Sequence, residues 1–78
     1  MNSEKTIEDR LKTVIKEKFG LVEMRPSTRL VEDLHFDSQD TLDLSTAIEA
    51  EFGFEVQDED MEKIDTFQSL VDYVTNKV

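Results

Sequence analysis

Apolar residues recur along this chain at helical steps, separated by polar or glycine-containing breaks. Ile7, Leu11, Val14, Ile15 and Phe19 follow one another at intervals of three and four, which puts them on one face of a helix. Ser3 precedes this stripe as a candidate cap. Lys16 and Lys18 lie in the last turn, where the helix dipole favours cations, and Gly20 is a natural stop. The spacing predicts a first helix over residues 4–19, with Glu8–Lys12 and Asp9–Lys12 as pairs on its exposed side. A second stripe, Thr41, Leu44, Ser45, Ile48 and Phe52, predicts a helix over residues 38–52 closed by Gly53. Asp40, Asp43, Ala50 and Glu51 fall toward solvent, while Leu42 and Thr46 lie near the outward face that Ser38 shares. Met61 and Ile64 mark the inner side of a short helix over residues 58–64, capped by Asp58. Phe67, Leu70, Val71 and Val74 do the same for a last helix over residues 66–76, capped by Asp65 or Thr66 and with Tyr73 bordering the core.

The connection over residues 20–36 is long and contains Pro26. Connections of this length are functional or held by their own packing. Leu21, Val22, Met24, Leu30, Val31, Leu34 and Phe36 supply anchors, so a packed loop crossing the helices is expected, with a single helical turn near Leu30 to Leu34. Phe54 and Val56 pack a short extended link. No alternating stretch is long enough for a strand. The fold class is therefore all-α: a bundle of three longer helices and one short one, forming a single domain over residues 1–78, with no internal repeat or low-complexity segment.

Composition narrows the functions open to such a bundle. A chain of 78 residues buries a small core, and with no cysteine it has neither disulfides nor thiolate metal sites to reinforce it. No apolar run approaches the roughly 20 residues of a membrane span, and the first residues do not resemble a signal peptide. The expectation is a cytoplasmic protein, or an organellar one after loss of a transit segment. Nineteen acidic residues stand against nine basic ones, for a net charge of −10. The imbalance lies after residue 30, where fourteen acids face Lys63 and Lys77, while the first thirty residues carry seven bases against five acids. Nucleic acid, which binds a basic face, is excluded as a partner. An acidic surface suits basic protein surfaces, with electrostatics speeding the encounter, and it also serves solubility alone.

Candidate chemistry centres on the start of the second helix. Asp37 is a good N-cap, and Asp40 follows three residues later as in a capping box, with aspartate in place of glutamate. Ser38 then becomes the first helical residue, its hydroxyl outward and beside backbone N–H groups that have no partner within the helix. A phosphate ester there would feel the positive end of the helix dipole. His35, Asp37 and Ser38 do not make a hydrolase triad, because near-adjacent residues rarely align on a scaffold that also supplies an oxyanion hole, and no Gly-x-Ser-x-Gly turn is present. His35 is read as a loop residue. Calcium-loop patterns begun at Asp37 or Asp58 fail, since Leu42 and Lys63 occupy the sixth position, which requires glycine. No dedicated metal site is expected, only loose divalent binding that relieves self-repulsion.

The runs Leu30-Val31-Glu32-Asp33-Leu34, Asp37-Ser38 and Asp40-Thr41-Leu42-Asp43-Leu44 resemble the acyl carrier protein family. So do Ala47-Ile48-Glu49-Ala50-Glu51-Phe52-Gly53-Phe54-Glu55-Val56 and the ending Val71-Asp72-Tyr73-Val74. The resemblance covers nearly the whole chain. It implies a non-catalytic carrier whose Ser38, supported by Asp37, bears a covalent phosphopantetheine derived from coenzyme A, with the thiol holding acyl intermediates as thioesters. The implied partners are a phosphopantetheinyl transferase and acyl synthases or acyltransferases with basic docking patches, of fatty-acid, polyketide or related pathways, met by a monomer. Gln39, Asp40, Leu42, Asp43, Thr46 and Glu49 are the implied docking residues. Leu44, Ile48, Phe52, Met61, Ile64 and Leu70 are the implied lining of an acyl cavity. The chain departs from the family at Gln39, Ser45, Thr46, Ala50 and the bulky His35-Phe36, which predicts a specialised member. Two other readings share these features: a peptidyl or aminoacyl carrier of a non-ribosomal pathway, and a small acidic interaction protein without a prosthetic group.

Overall fold

Four helices in chain order account for the architecture of a computed structural model that describes residues 6–20 and 23–78. They are α1 (Ile7–Phe19), α2 (Ser38–Phe52), α3 (Asp58–Lys63) and α4 (Phe67–Lys77). The chain is all-α, with no strand among the described residues beyond an isolated antiparallel bridge between Arg29 and Thr66.

Sequence spacing located each helix, and the caps adjust the ends. α1 begins at Ile7 instead of residue 4, because Thr6 is extended and its hydroxyl accepts the Asp9 N–H. The cap proposed at Ser3 lies outside the described residues. Of the two side-chain pairs expected on α1, Glu8–Lys12 forms, at 3.2 Å. Asp58 is not the cap of α3 but its first residue: Gln57 holds the cap position without a side-chain hydrogen bond, and α3 ends one residue early, with Ile64 already extended. Thr66 caps α4 in a reciprocal box with Ser69, so the helix starts at Phe67 and runs to Lys77. Gly20 and Gly53 close α1 and α2 at φ 76° and 80°, a left-handed conformation that costs glycine little.

One core unites the elements. Leu11 and Ile15 from α1, Leu44 and Ile48 from α2, Met61 and Ile64 from α3, and Phe67, Leu70 and Val74 from α4 are buried in it. The long connection behaves as a packed loop. Met24, Leu30 and Phe36 are buried, and a turn closed by hydrogen bonds from Asp33 N to Arg29 O (2.9 Å) and from His35 N to Val31 O (3.0 Å) occupies the Leu30–Leu34 region. Val31 is not an anchor: this turn leaves it 55 % exposed. Leu21 and Val22 lie outside the described residues. The loop is clipped to the start of α4, where the Phe67 and Gln68 N–H groups donate to the carbonyls of Thr28 (2.8 Å) and Pro26 (2.9 Å), and Leu30 N donates to Asp65 O (2.9 Å). Orphan donors of α4 thus hold the loop that leads into α2.

Two further contacts set the frame. The Arg10 guanidinium donates to the Glu51 carboxylate (3.0 Å) and to the Glu51 carbonyl (2.9 Å), and it lies 4.4 Å from the Phe52 ring centroid. This ties α1 to the end of α2. The Tyr73 hydroxyl donates to Asp60 Oδ2 (2.8 Å), tying α4 to α3.

Candidate functional site

The loop delivers the chain to α2 through two unusual residues. His35 has φ 61°, a left-handed value rarely taken outside glycine, with asparagine, aspartate and histidine the more tolerant residues. Phe36 is buried, its ring centroid 4.6 Å from that of Phe19. The bulk at these two positions is therefore structural: Phe36 plugs the core while His35 makes the bend that turns the next residues outward.

Asp37 then caps α2. Its Oδ1 accepts the Asp40 N–H at 2.9 Å, and its own N–H donates to Asp40 Oδ2 at 3.2 Å. Its carbonyl accepts both the N–H (3.0 Å) and the hydroxyl (3.1 Å) of Thr41. Ser38 is the first helical residue and is exposed. The cap engages the N–H groups of Asp40 and Thr41 and leaves those of Ser38 and Gln39 without an acceptor among the described residues. At α4, by contrast, loop carbonyls take the equivalent first two donors. An anionic ester on Ser38 Oγ would therefore meet two open amides and the positive end of a fifteen-residue helix.

Beside Ser38 a cleft of about 590 Å³ opens between α2 and α3. Val31, Phe36, Leu42, Met61 and Ile64 give it an apolar lining, with Thr41 beside them. Asp37, Asp58 and Glu62 give it an acidic rim, and no basic residue lines it. Met61 and Ile64 are thus brought to the cleft, whereas Leu44, Ile48 and Leu70 are wholly buried in the core next to it. Phe52 packs elsewhere, against Phe54 and under Arg10. Sequence reasoning did not name Val31, Phe36, Thr41, Leu42, Asp58 or Glu62 as lining. Thr41 and Leu42 were within reach, since positions three and four after Ser38 share its face.

The outward face of α2 divides in two. Gln39 and Asp43 are joined, Nε2 to Oδ1, at 3.1 Å, and Thr46 returns its hydroxyl to the Leu42 carbonyl (3.1 Å). Leu42 is 48 % exposed. Asp40 and Glu49 instead turn their carboxylates onto backbone donors, Asp40 in the capping box and Glu49 on the N–H of Val56 (2.8 Å). Among the described residues, no group of three His, Asp or Glu side chains is placed to hold a metal ion, and no helix is long and apolar enough to cross a membrane.

An exposed serine beside two open amides at a capped helix start, an adjacent cleft with apolar lining and a four-helix platform match what comparison with known families returns. A family model described as a phosphopantetheine attachment site matches residues 9–74. The chain belongs to this family of carrier domains, whose members hold a phosphopantetheine group covalently.

Proposed function

We propose that Ser38 bears the phosphopantetheine and that the protein is a non-catalytic carrier delivering acyl intermediates to a dedicated synthase or acyltransferase. The observation that carries this reading is the exposed Ser38 hydroxyl beside two unpartnered backbone donors at the start of α2. Loading by a pantetheinyl transferase forms a bond from Ser38 Oγ to the pantetheine-bearing phosphorus of coenzyme A. The pyrophosphate link breaks, 3′,5′-ADP leaves, and the hydroxyl proton passes to a base of the transferase. Asp37 keeps the first turn formed while this happens. The prosthetic group supplies a thiol on which acyl cargo is held as a thioester.

The exposed face of α2 is the docking surface in this reading. Asp43, Gln39, Leu42 and Thr46 meet a partner's basic patch, and the remaining acids steer the encounter; such rim charges are individually weak and fade in salt. Asp40 and Glu49 contribute charge to that field while their carboxylates hold backbone. Polar Gln39 and Thr46 favour a specialised partner set over general fatty-acid enzymes. Mass spectrometry after incubation with coenzyme A and a pantetheinyl transferase tests the assignment: the wild type gains the mass of the group, and Ser38→Ala stays folded and gains nothing. A mass gain in Ser38→Ala refutes the position, and no gain in the wild type refutes the carrier reading.

A further inference from the structure

Ser45 is the buried polar residue of the described interior, 6 % exposed, and its Oγ has no hydrogen-bond partner there. A serine within a helix ordinarily returns its hydroxyl to the carbonyl four residues back. Thr46 does so onto Leu42, but Ser45 does not do so onto Thr41. A buried hydroxyl without a partner destabilises the fold, and alanine at the same place would not.

The position of Ser45 on α2 indicates what the hydroxyl awaits. At 3.6 residues per turn, Ser45 points within about 20° of the direction of Ser38 and lies roughly 10 Å further along the helix axis. Thr41 and Leu42 fall on either side of that direction, and both line the cleft. The strip of α2 that borders the cleft therefore starts at exposed Ser38, passes between Thr41 and Leu42, and goes inside at Ser45. On the opposite side Met61 and Ile64 belong to both the cleft and the core. A chain tethered at Ser38 and entering between α2 and α3 advances over apolar residues toward one orphaned hydroxyl.

We infer that Ser45 reads the cargo: the acyl chain carried from Ser38 bears an uncharged oxygen function, a hydroxyl or keto group, that enters between α2 and α3 and hydrogen-bonds to Ser45 Oγ. The inference rests on the carrier reading above. A carboxylate-ended cargo would meet Asp37, Asp58 and Glu62 with no cation lining the cleft. An ammonium group would lose its hydration in the apolar depth without a paired charge. A saturated chain would fill the space but leave the hydroxyl unpaired, and a site built to pair a polar group discriminates against an analogue that lacks it.

The test uses a promiscuous pantetheinyl transferase and acyl-coenzyme A donors to load the protein with octanoyl or with matched chains bearing one hydroxyl or keto group at successive odd carbons. Mass spectrometry follows loading, and thermal denaturation and the rate of thioester cleavage by hydroxylamine follow sequestration. The expected result is that at least one oxygenated chain raises the melting temperature several degrees more than octanoyl and slows cleavage several-fold. In Ser45→Ala, whose unloaded form is the more stable, that advantage disappears. If octanoyl protects as well as every oxygenated chain in the wild type, or if the preference survives in Ser45→Ala, the inference is overturned. If no donor adds mass, the carrier reading itself falls.

Discussion

Asp37 allows the architecture of the site to be tested quantitatively, because its side chain does two separable things. Its Oδ1 accepts the Asp40 N–H at 2.9 Å, and its charge sits at the positive end of α2. Asp37→Ala removes both. Loss of a cap acceptor costs about 1 kcal/mol, and loss of an exposed charge from a helix start costs roughly 0.3–1 kcal/mol more. Relief of repulsion within the acidic half of the chain offsets a few tenths of this. The net expectation is a loss of about 1–1.5 kcal/mol, which in a domain of this size lowers the melting temperature by roughly 5–10 °C. Asp37→Asn keeps an acceptor in the same place and removes the charge alone, so it falls less than half as far. The Asp40 carboxylate returns to the Asp37 N–H at 3.2 Å, so a cycle of Asp37→Ala, Asp40→Ala and the double variant has a coupling of about 0.5 kcal/mol or more. Thermal and urea denaturation followed by helical circular dichroism, at fixed salt, provide the numbers. An alanine variant within about 0.3 kcal/mol of the wild type, or an asparagine variant as damaged as the alanine one, would falsify the claim that this box holds the turn bearing Ser38.

Three further outcomes follow from contacts elsewhere in the bundle. Arg10→Ala breaks the fork onto Glu51 and the packing over Phe52, and with the exposed ion pair discounted it costs about 1–2 kcal/mol; Arg10→Lys recovers less than half of that in urea denaturation, because a lysine has no fork. His35→Gly relieves the left-handed backbone at φ 61° and, after the entropy that glycine adds to the unfolded chain, stabilises by roughly 0.5–1 kcal/mol, whereas His35→Val destabilises; equal melting temperatures for the three would show that the bend carries no strain. Burial, followed by the hydrogen bond and the charge of Asp60, holds the Tyr73 phenol above its ordinary value of 10.0. The unfolded chain releases this proton first, so stability is intact below that pH and declines as pH climbs from there through the folded value; Tyr73→Phe flattens the decline, and an unchanged alkaline slope in that variant would reassign it.

The contrast between what the sequence yields and what only the fold yields follows from the range of the interactions involved. α1, α2 and α4 were legible because a stripe at three- and four-residue steps must be buried, and Leu11, Ile15, Leu44, Ile48, Phe67, Leu70 and Val74 are all wholly buried. The Asp37 cap was legible because a capping box is closed within four residues. Gln57 was not, because α3 starts without any side-chain cap, and its position depends on Met61, Ile64 and the distant Tyr73–Asp60 bond. The cleft was only half legible for the same reason. A stripe places Met61 and Ile64 facing inward, but Val31 reaches the cleft through a loop turn whose anchor is the start of α4, a region of sequence far from either. Leu44 and Leu70 share the periodicity of lining residues yet sit behind the wall, since periodicity gives the face of a helix and not the depth at which a neighbouring helix closes over it. That depth is set by the short helix, the element with the fewest local determinants. In the carrier reading proposed above, the part of the site left to tertiary contacts is therefore the part that would meet the cargo, while the part written in local signals is the part that must be formed before any cargo arrives.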